Sequence, residues 1–160
     1  MTAPPVASGA ARAPAQADPA TDGVWSQQAR AALAATDEKL ARRYEDLDRI
    51  DHVLALRARA VDHLLREAWR RCLPAESGLS LFAVGGYGRG ELFPQSDVDV
   101  LVLGEPEAQQ LHHDALARCL ALVWDTGLKL SHAVRSPAQC SEASQDQTVA
   151  TALLEARPLI

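Results

Sequence analysis

Apolar side chains in the first half of the chain recur at helical steps. Between Trp25 and Cys72 the sequence is rich in Ala, Leu, Arg and Glu and nearly free of Gly and Pro. Leu47, Ile50, Leu54, Val61, Leu64, Ala68 and Cys72 follow one another at three-, four- and seven-residue steps, which predicts one apolar stripe on a helix. Asp46 with Arg49, and Asp62 with Arg66, are spaced as exposed ion pairs along that helix. Arg57 falls within the stripe and the repeat is short, so a helix packed on the following domain is expected in preference to a coiled coil. A break is placed near Thr36-Asp37, and Leu73-Pro74 ends the helix because proline disfavours a helical residue before it.

Beyond Pro74 the pattern changes. LSLFAVGG (79–86) is a short apolar run closed by glycines and predicts a buried strand. DVDVLVL (97–103), with its β-branched residues, predicts a second. Pro106 suits the first turn of a helix, and Leu111, Ala115, Leu116, Leu120, Val123 and Trp124 continue it up to a stop at Gly127. LKLSHAVR (128–135) predicts a third strand with Leu128, Leu130, His132 and Val134 on one face. Ser136-Pro137 opens another helical piece, and residues 148–156 form the last. Trp69 and Trp124 are expected in the core. The order helix, strand, strand, helix, strand, helix describes an α/β domain with a small mixed sheet.

Composition narrows what such a domain does. With 160 residues, 48% of them hydrophobic, the chain is long enough for one ordinary core. Sixteen basic against 21 acidic residues give a net charge of −5, which argues against general affinity for nucleic acid or an anionic membrane. The apolar runs fall well short of the ~20 residues that span a bilayer. Cys72, Cys119 and Cys140 are an odd set without a CxxC pair, so neither a disulfide framework nor a zinc ribbon is expected, and the chain reads as cytoplasmic. Residues 1–24, built largely from Ala and Pro, read as a disordered arm without a signal-peptide pattern. Residues 25–74 are then an N-terminal helical segment and 75–160 a second domain. The last helical pattern runs to about Glu155, and the chain then stops at Ile160 with no cap, charged tail or turn, which predicts that this domain is truncated at its C-terminus and that the chain is the front piece of a longer one.

The chemistry is expected at Asp97 and Asp99. Side chains alternate along a strand, so these two carboxylates share one face about 6–7 Å apart, with Val98, Val100 and Val102 on the other. Paired carboxylates beside an apolar core repel each other unless a cation joins them, and hard oxygen ligands favour magnesium or manganese. An Asp-x-Asp alone also occurs in calcium loops and glycosyltransferases. The loop upstream sharpens the reading: a strand ends in Gly85-Gly86, followed by Tyr87, Gly88 and Arg89, with Pro94 and Ser96 just before the acids. Glycines let a phosphate chain approach bare backbone N–H groups, and Arg89 is placed to add a bidentate phosphate contact. Eleven residues, 86–96, make a long connection for a plain hairpin. The combination predicts a site for a metal-bound triphosphate.

These residues carry a resemblance. Gly85-Gly86, ten intervening residues, then Asp97-Val98-Asp99-Val100 resembles the signature of the DNA polymerase beta nucleotidyltransferase superfamily. The wider string GGYGRGELFPQSDVDVLVL closely resembles the family of PII uridylyltransferases, and LRARAVDHLLREAW, GLKLSHAVR and TVATALLEARPL extend the similarity over roughly residues 45–160. The resemblance implies the small mixed sheet of the polymerase-beta nucleotidyltransferase type, with flanking helices and a long N-terminal helix. It implies that Gly85, Gly86, Arg89 and Ser96 hold UTP, that Asp97 and Asp99 are catalytic and ligate magnesium or manganese, and that UMP passes to a tyrosine hydroxyl of the nitrogen-regulatory protein PII. In that family an HD-type phosphohydrolase domain removes the uridylyl group and ACT domains sense glutamine; neither lies in these residues. The glutamine synthetase adenylyltransferases share the acidic pair with a different glycine loop and are the alternative enzyme class, and a non-catalytic nucleotide-binding module is the alternative outside enzymes.

Several residues stay open at this point. Many superfamily members carry a third carboxylate on a later strand, where this chain offers Lys129, Ser131 and His132, leaving Asp125, Asp146 or none to complete the shell. His132 reads as a satisfied core histidine or a substrate contact, and Arg135 as a phosphate contact or a surface ion pair. His112-His113-Asp114 sits mid-helix without further ligands and reads as a solvated helix face.

Overall fold

A computed structural model describes residues 19–160. Helix α1 (Pro19–Glu45) begins with proline at its first position, where the missing N–H costs nothing, and carries Asp22 in its first turn and Arg42 and Arg43 in its last, charges that suit the helix dipole. Residues 19–24, expected in the arm, are therefore helical. The reason is tertiary: Asp22 accepts from Arg118 at 2.8 and 3.0 Å and from Arg71 at 3.4 Å, which ties this first turn to the body. Residues 1–18 of the expected arm lie outside the described residues.

The helix is continuous through Thr36-Asp37 and turns instead at Asp46–Asp48, where Leu47 adopts φ +66°. Leu47 is 92% exposed and Ile50 is exposed as well, so the buried stripe starts at Val53 and Leu54 rather than at Leu47. Helix α2 (Ile50–Cys72) runs back along α1 and buries Leu54, Ala58, Val61, Leu64, Leu65, Ala68, Trp69 and Cys72. Arg57, in the middle of that stripe, is buried but paired: its Nε and Nη2 donate to Asp37 of α1 at 2.8 and 3.2 Å. The polar interruption is thus the tie between the two helices.

Four strands form a mixed sheet in the order β3-β2-β1-β4: β1 (Leu79–Ala83), β2 (Val98–Gly104), β3 (Leu130–Arg135) and the two-residue β4 (Arg157–Pro158). β1 pairs antiparallel with β2 and with β4, and β2 pairs parallel with β3. Val98, Val100 and Val102 are buried against the helices, each contributing about 1.5–3 kcal/mol by leaving water. The expected helix from Pro106 to Gly127 is two, α4 (Pro106–Leu111) and α5 (His113–Asp125), because His112 leaves helical geometry at φ −107°, ψ 16°. The change of direction lets α5 bury Leu116, Cys119, Leu122 and Val123 while Leu111 stays in solvent. Trp69 is in the core as expected, but Trp124 is 47% exposed: its indole N–H donates to the Leu130 carbonyl at 3.3 Å and its ring meets His132 edge-on at 5.6 Å. Helices α6 (Pro137–Ala143) and α7 (Gln147–Leu154) follow, the first opened by a capping box of Ser136 and Gln139, the second capped by Asp146. No helix among the described residues is long and apolar enough to cross a membrane.

Candidate functional site

The end of β1 and the start of β2 lie side by side. The Val84 N–H donates to the Asp99 carbonyl at 3.0 Å, and the chain then turns through Gly85 at φ +58°, a left-handed conformation that a side chain disfavours. Gly85 opens α3 (Gly85–Gly88), a single turn closed by Gly88 N–H to the Val84 carbonyl at 3.0 Å and Arg89 N–H to the Gly85 carbonyl at 3.2 Å. The first N–H groups of such a turn have no partner within it, and no side chain caps them here. The expected apolar strand through Gly86 therefore stops at Ala83, and its last glycines form the turn.

Asp97 and Asp99 flank Val98 as predicted. Asp97 is exposed just ahead of β2, Asp99 is half-buried within it, and Val98 between them is fully buried on the opposite face. A Cβ built on Gly85 would lie 3.5 Å from Asp99 Oδ2. Bare backbone donors and a carboxylate thus share one small space. Donors favour an anion there and the carboxylates repel it, so the two fit one ligand when a divalent cation is bound with the phosphate.

The other expected phosphate contacts are engaged elsewhere. Arg89 donates to Glu155 at 2.7 Å and to Glu91 at 3.0 Å, and these carboxylates, Glu155 first, raise its pKa. Ser96 closes the turn before the acids, its Oγ donating to the Phe93 carbonyl at 2.8 Å. Arg135, at the end of β3 opposite Leu103, has no ion pair among the described residues. It lines a hollow of about 180 Å³ with Val84, Leu101, Ala133, Val149 and Leu153.

The position opposite Asp99 on β3 is Ser131. Among the described residues no group of three or more His, Cys, Asp or Glu side chains is assembled to hold a metal. Asp146 is occupied in capping α7, accepting from the Thr148 and Val149 N–H groups, and Asp125 does not complete a shell. Asp97 and Asp99 are thus two carboxylates with no third ligand assembled beside them among the described residues, and a cation held there would take further oxygens from outside this set. His132 is exposed rather than in the core, because β3 is an edge strand whose outward positions are not covered. His113 and Asp114 are exposed and 3.2 Å apart, at the start of α5 rather than in mid-helix.

Three residues around the turn were not legible in the sequence. Asp62, expected on an exposed face with Arg66, is 5% exposed and only 4.0 Å from Arg66 at its nearest. Its Oδ1 accepts a 2.6 Å hydrogen bond from the Tyr87 hydroxyl, and both its oxygens accept from Arg157 at 2.7 and 2.9 Å. Arg157 lies 95 residues from Asp62, so no local spacing signals the pair. The place of Asp62 beside Val61 and next to the buried stripe was the one available hint.

Comparison with known proteins places the chain in a family. The Nucleotidyltransferase domain family matches residues 64–159. A bifunctional uridylyltransferase/uridylyl-removing enzyme of Xanthomonas campestris pv. campestris (strain 8004) is 62% identical over 141 residues, covering 88% of this chain and 16% of its own. Its namesake in Xanthomonas oryzae pv. oryzae (strain MAFF 311018) is 60% identical over the same shares. The one in Methylococcus capsulatus (strain ATCC 33009 / NCIMB 11132 / Bath) is 46% identical over 124 residues, 76% of this chain and 14% of its own. The chain therefore spans about one-sixth of the length of the curated relatives it matches. No solved structure matches it.

Proposed function

The chain belongs to the nucleotidyltransferase domain family, and from that premise we propose that it transfers UMP from UTP to a tyrosine hydroxyl of the regulatory protein PII, in the cytoplasm and in response to nitrogen status. The observation that carries the proposal is the closeness of the glycine turn to the acidic strand: a Cβ added at Gly85 would lie 3.5 Å from Asp99 Oδ2. The relatives' names supply the uridylyl group. The resemblance of residues 85–103 to the PII uridylyltransferases supplies the acceptor.

In this reading the first N–H groups of α3 hold phosphate oxygens, and the absence of side chains at Gly85 and Gly86 lets the triphosphate reach them. Asp97 and Asp99 would hold magnesium or manganese, which when bound neutralises the triphosphate and favours the ionised acceptor hydroxyl. The tyrosine oxygen forms a bond to the α-phosphorus, the bond to the bridging oxygen breaks, and pyrophosphate leaves as the acceptor proton passes to solvent. Neither step requires a covalent enzyme intermediate, so these residues act by positioning and electrostatics. Removal of the uridylyl group is assigned to no residue here, since His113 and Asp114 stand exposed without further ligands.

The test is incubation of the native protein with α-labelled UTP, ATP or CTP, magnesium and purified PII, followed by identification of the modified residue. Label from UTP on a PII tyrosine is expected. Transfer from ATP in preference to UTP, or no transfer from any nucleotide, would overturn the proposal.

A further inference from the structure

Tyr87 stands between Gly86 and Gly88, at the centre of the turn read above as the phosphate cradle, and it is 1% exposed. A side chain so placed cannot stack on a base or reach a phosphate. It points down, where its hydroxyl donates to Asp62 of α2. Arg157 of β4 completes the cluster from the other side. Its guanidinium donates to both Asp62 oxygens, to the Gly88 carbonyl at 3.2 Å and to the Tyr87 carbonyl at 3.4 Å, and lies 5.5 Å over the Tyr87 ring.

We infer that Tyr87, Asp62 and Arg157 are positioning residues that fix the direction of the glycine turn, an inference that rests on the nucleotide-binding reading of that turn. A four-residue helix has no stability of its own, because nucleation fixes several dihedrals for a single hydrogen bond. Its aim must come from outside. Arg157 supplies it at the carboxyl end, where a cation suits the exposed carbonyls. Tyr87 supplies it from beneath, as a rigid ring tied at its far end to a helix of the core. Gly88 allows the close approach this needs, since a Cβ there would overlap the Glu155 carbonyl just ahead of β4. A buried ion pair is a poor way to add stability compared with apolar packing. What this one provides is direction: three elements distant in sequence, α2, α3 and β4, meet with every oxygen of Asp62 engaged. Donors held in place before the nucleotide arrives need no ordering on binding.

The experiment measures Mg·UTP affinity and the thermal midpoint on the native protein and four variants. Tyr87→Phe keeps the ring and its packing but removes the tie to Asp62, and Arg157→Lys keeps the charge but loses the fork. Each is expected to weaken Mg·UTP binding by about tenfold, the loss of a hydrogen bond to a charged group. Leu122→Ala, in the core of α5, is expected to lower the thermal midpoint more than Tyr87→Phe while keeping affinity within about twofold of the native value. Gly86→Ala is expected to abolish binding. Native affinity in both Tyr87→Phe and Arg157→Lys would overturn the positioning role, as would a loss in Leu122→Ala equal to theirs. Failure of the unsubstituted protein to bind Mg·UTP, or native affinity in Gly86→Ala, would overturn the nucleotide-binding reading itself.

Discussion

The Tyr87 hydroxyl donates a 2.6 Å hydrogen bond to Asp62 Oδ1 across 25 positions of sequence, joining the glycine turn to a helix on which it has no neighbour in the chain. Burial first, and the adjoining Asp62 carboxylate second, push the Tyr87 phenol well above the ordinary tyrosine range. The proton is held because ionisation would place a phenolate in a dry site against a carboxylate.

A pH dependence follows with a definite sign. A group whose folded pKa is raised contributes stability that is complete below its unfolded value, about 10 for tyrosine, and is lost as pH rises beyond it. Chemical unfolding between pH 9 and 11.5 should show stability falling more steeply in the native protein than in Tyr87→Phe. Tyrosinate absorbance at 295 nm should match in the two proteins up to about pH 11. A larger absorbance change in the native protein over that range would show that Tyr87 ionises normally.

Gly85 and Gly86 should separate when each is changed to alanine. Gly85 sits at φ +58°, so the substitution strains the backbone by about 1–2 kcal/mol and lowers the thermal midpoint. At Gly86 the nearest atom to a new Cβ is the Glu91 carbonyl oxygen at 3.4 Å, an ordinary contact. Gly86→Ala should melt close to the native protein and still lose Mg·UTP binding, measured by calorimetry. Equal destabilisation by both would mean that Gly86 serves the fold alone.

Arg89 is expected to respond to its partners. Glu155 and Glu91 hold its guanidinium at 2.7 and 3.0 Å, and a triphosphate must compete with them. Glu155→Gln should strengthen Mg·UTP binding several-fold, and Arg89→Ala should weaken it, with little change in thermal midpoint because the pairs are exposed. If neither variant moves the affinity, Arg89 belongs to the surface.

Arg57 and Arg49 of the helical hairpin should differ in weight. Arg57→Ala removes a buried side chain and its hydrogen bonds to Asp37, which is left partly in solvent, and is expected to cost about 1.5–3 kcal/mol in urea unfolding. Arg49→Ala breaks a pair with Asp51 that is mostly in solvent and should cost less than about 0.5 kcal/mol.

Local patterns carried the reading of β1, β2 and β3, whereas the two-residue β4, which pairs with β1 from far along the chain, left no such pattern. The burial of Val98 and Val100 on either side of the half-buried Asp99 is a property of the strand itself, and neighbours in sequence suffice to read it. The glycines of the turn were legible for the same reason. Elements that depend on distant partners were not. Asp62 has the spacing of an exposed pair with Arg66, and only Tyr87 and Arg157, remote in sequence, turn it inward. Leu47 and Leu111 fit their helical stripes and yet lie at breaks, one in the turn between α1 and α2 and the other beside His112, because periodicity does not register a change of chain direction. Trp124 shows the limit of hydrophobicity as a guide: at an uncovered sheet edge its ring covers β3 and remains half in solvent.

Asp99 bears most directly on the proposed transfer. Its half-buried side chain stands where a Cβ on Gly85 would come within 3.5 Å of Oδ2, and among the described residues no group of three or more possible ligands is assembled. The decisive measurement is the initial rate of label transfer from α-labelled UTP to PII by the native protein and by Asp99→Asn, with circular dichroism of both. Asparagine keeps size and hydrogen bonding and removes the charge. The rate is expected to fall by at least about a thousandfold with an unchanged spectrum, as Asp97→Asn should repeat. Transfer by a folded Asp99→Asn within a few-fold of the native rate would contradict the assignment of this strand as the metal-binding element.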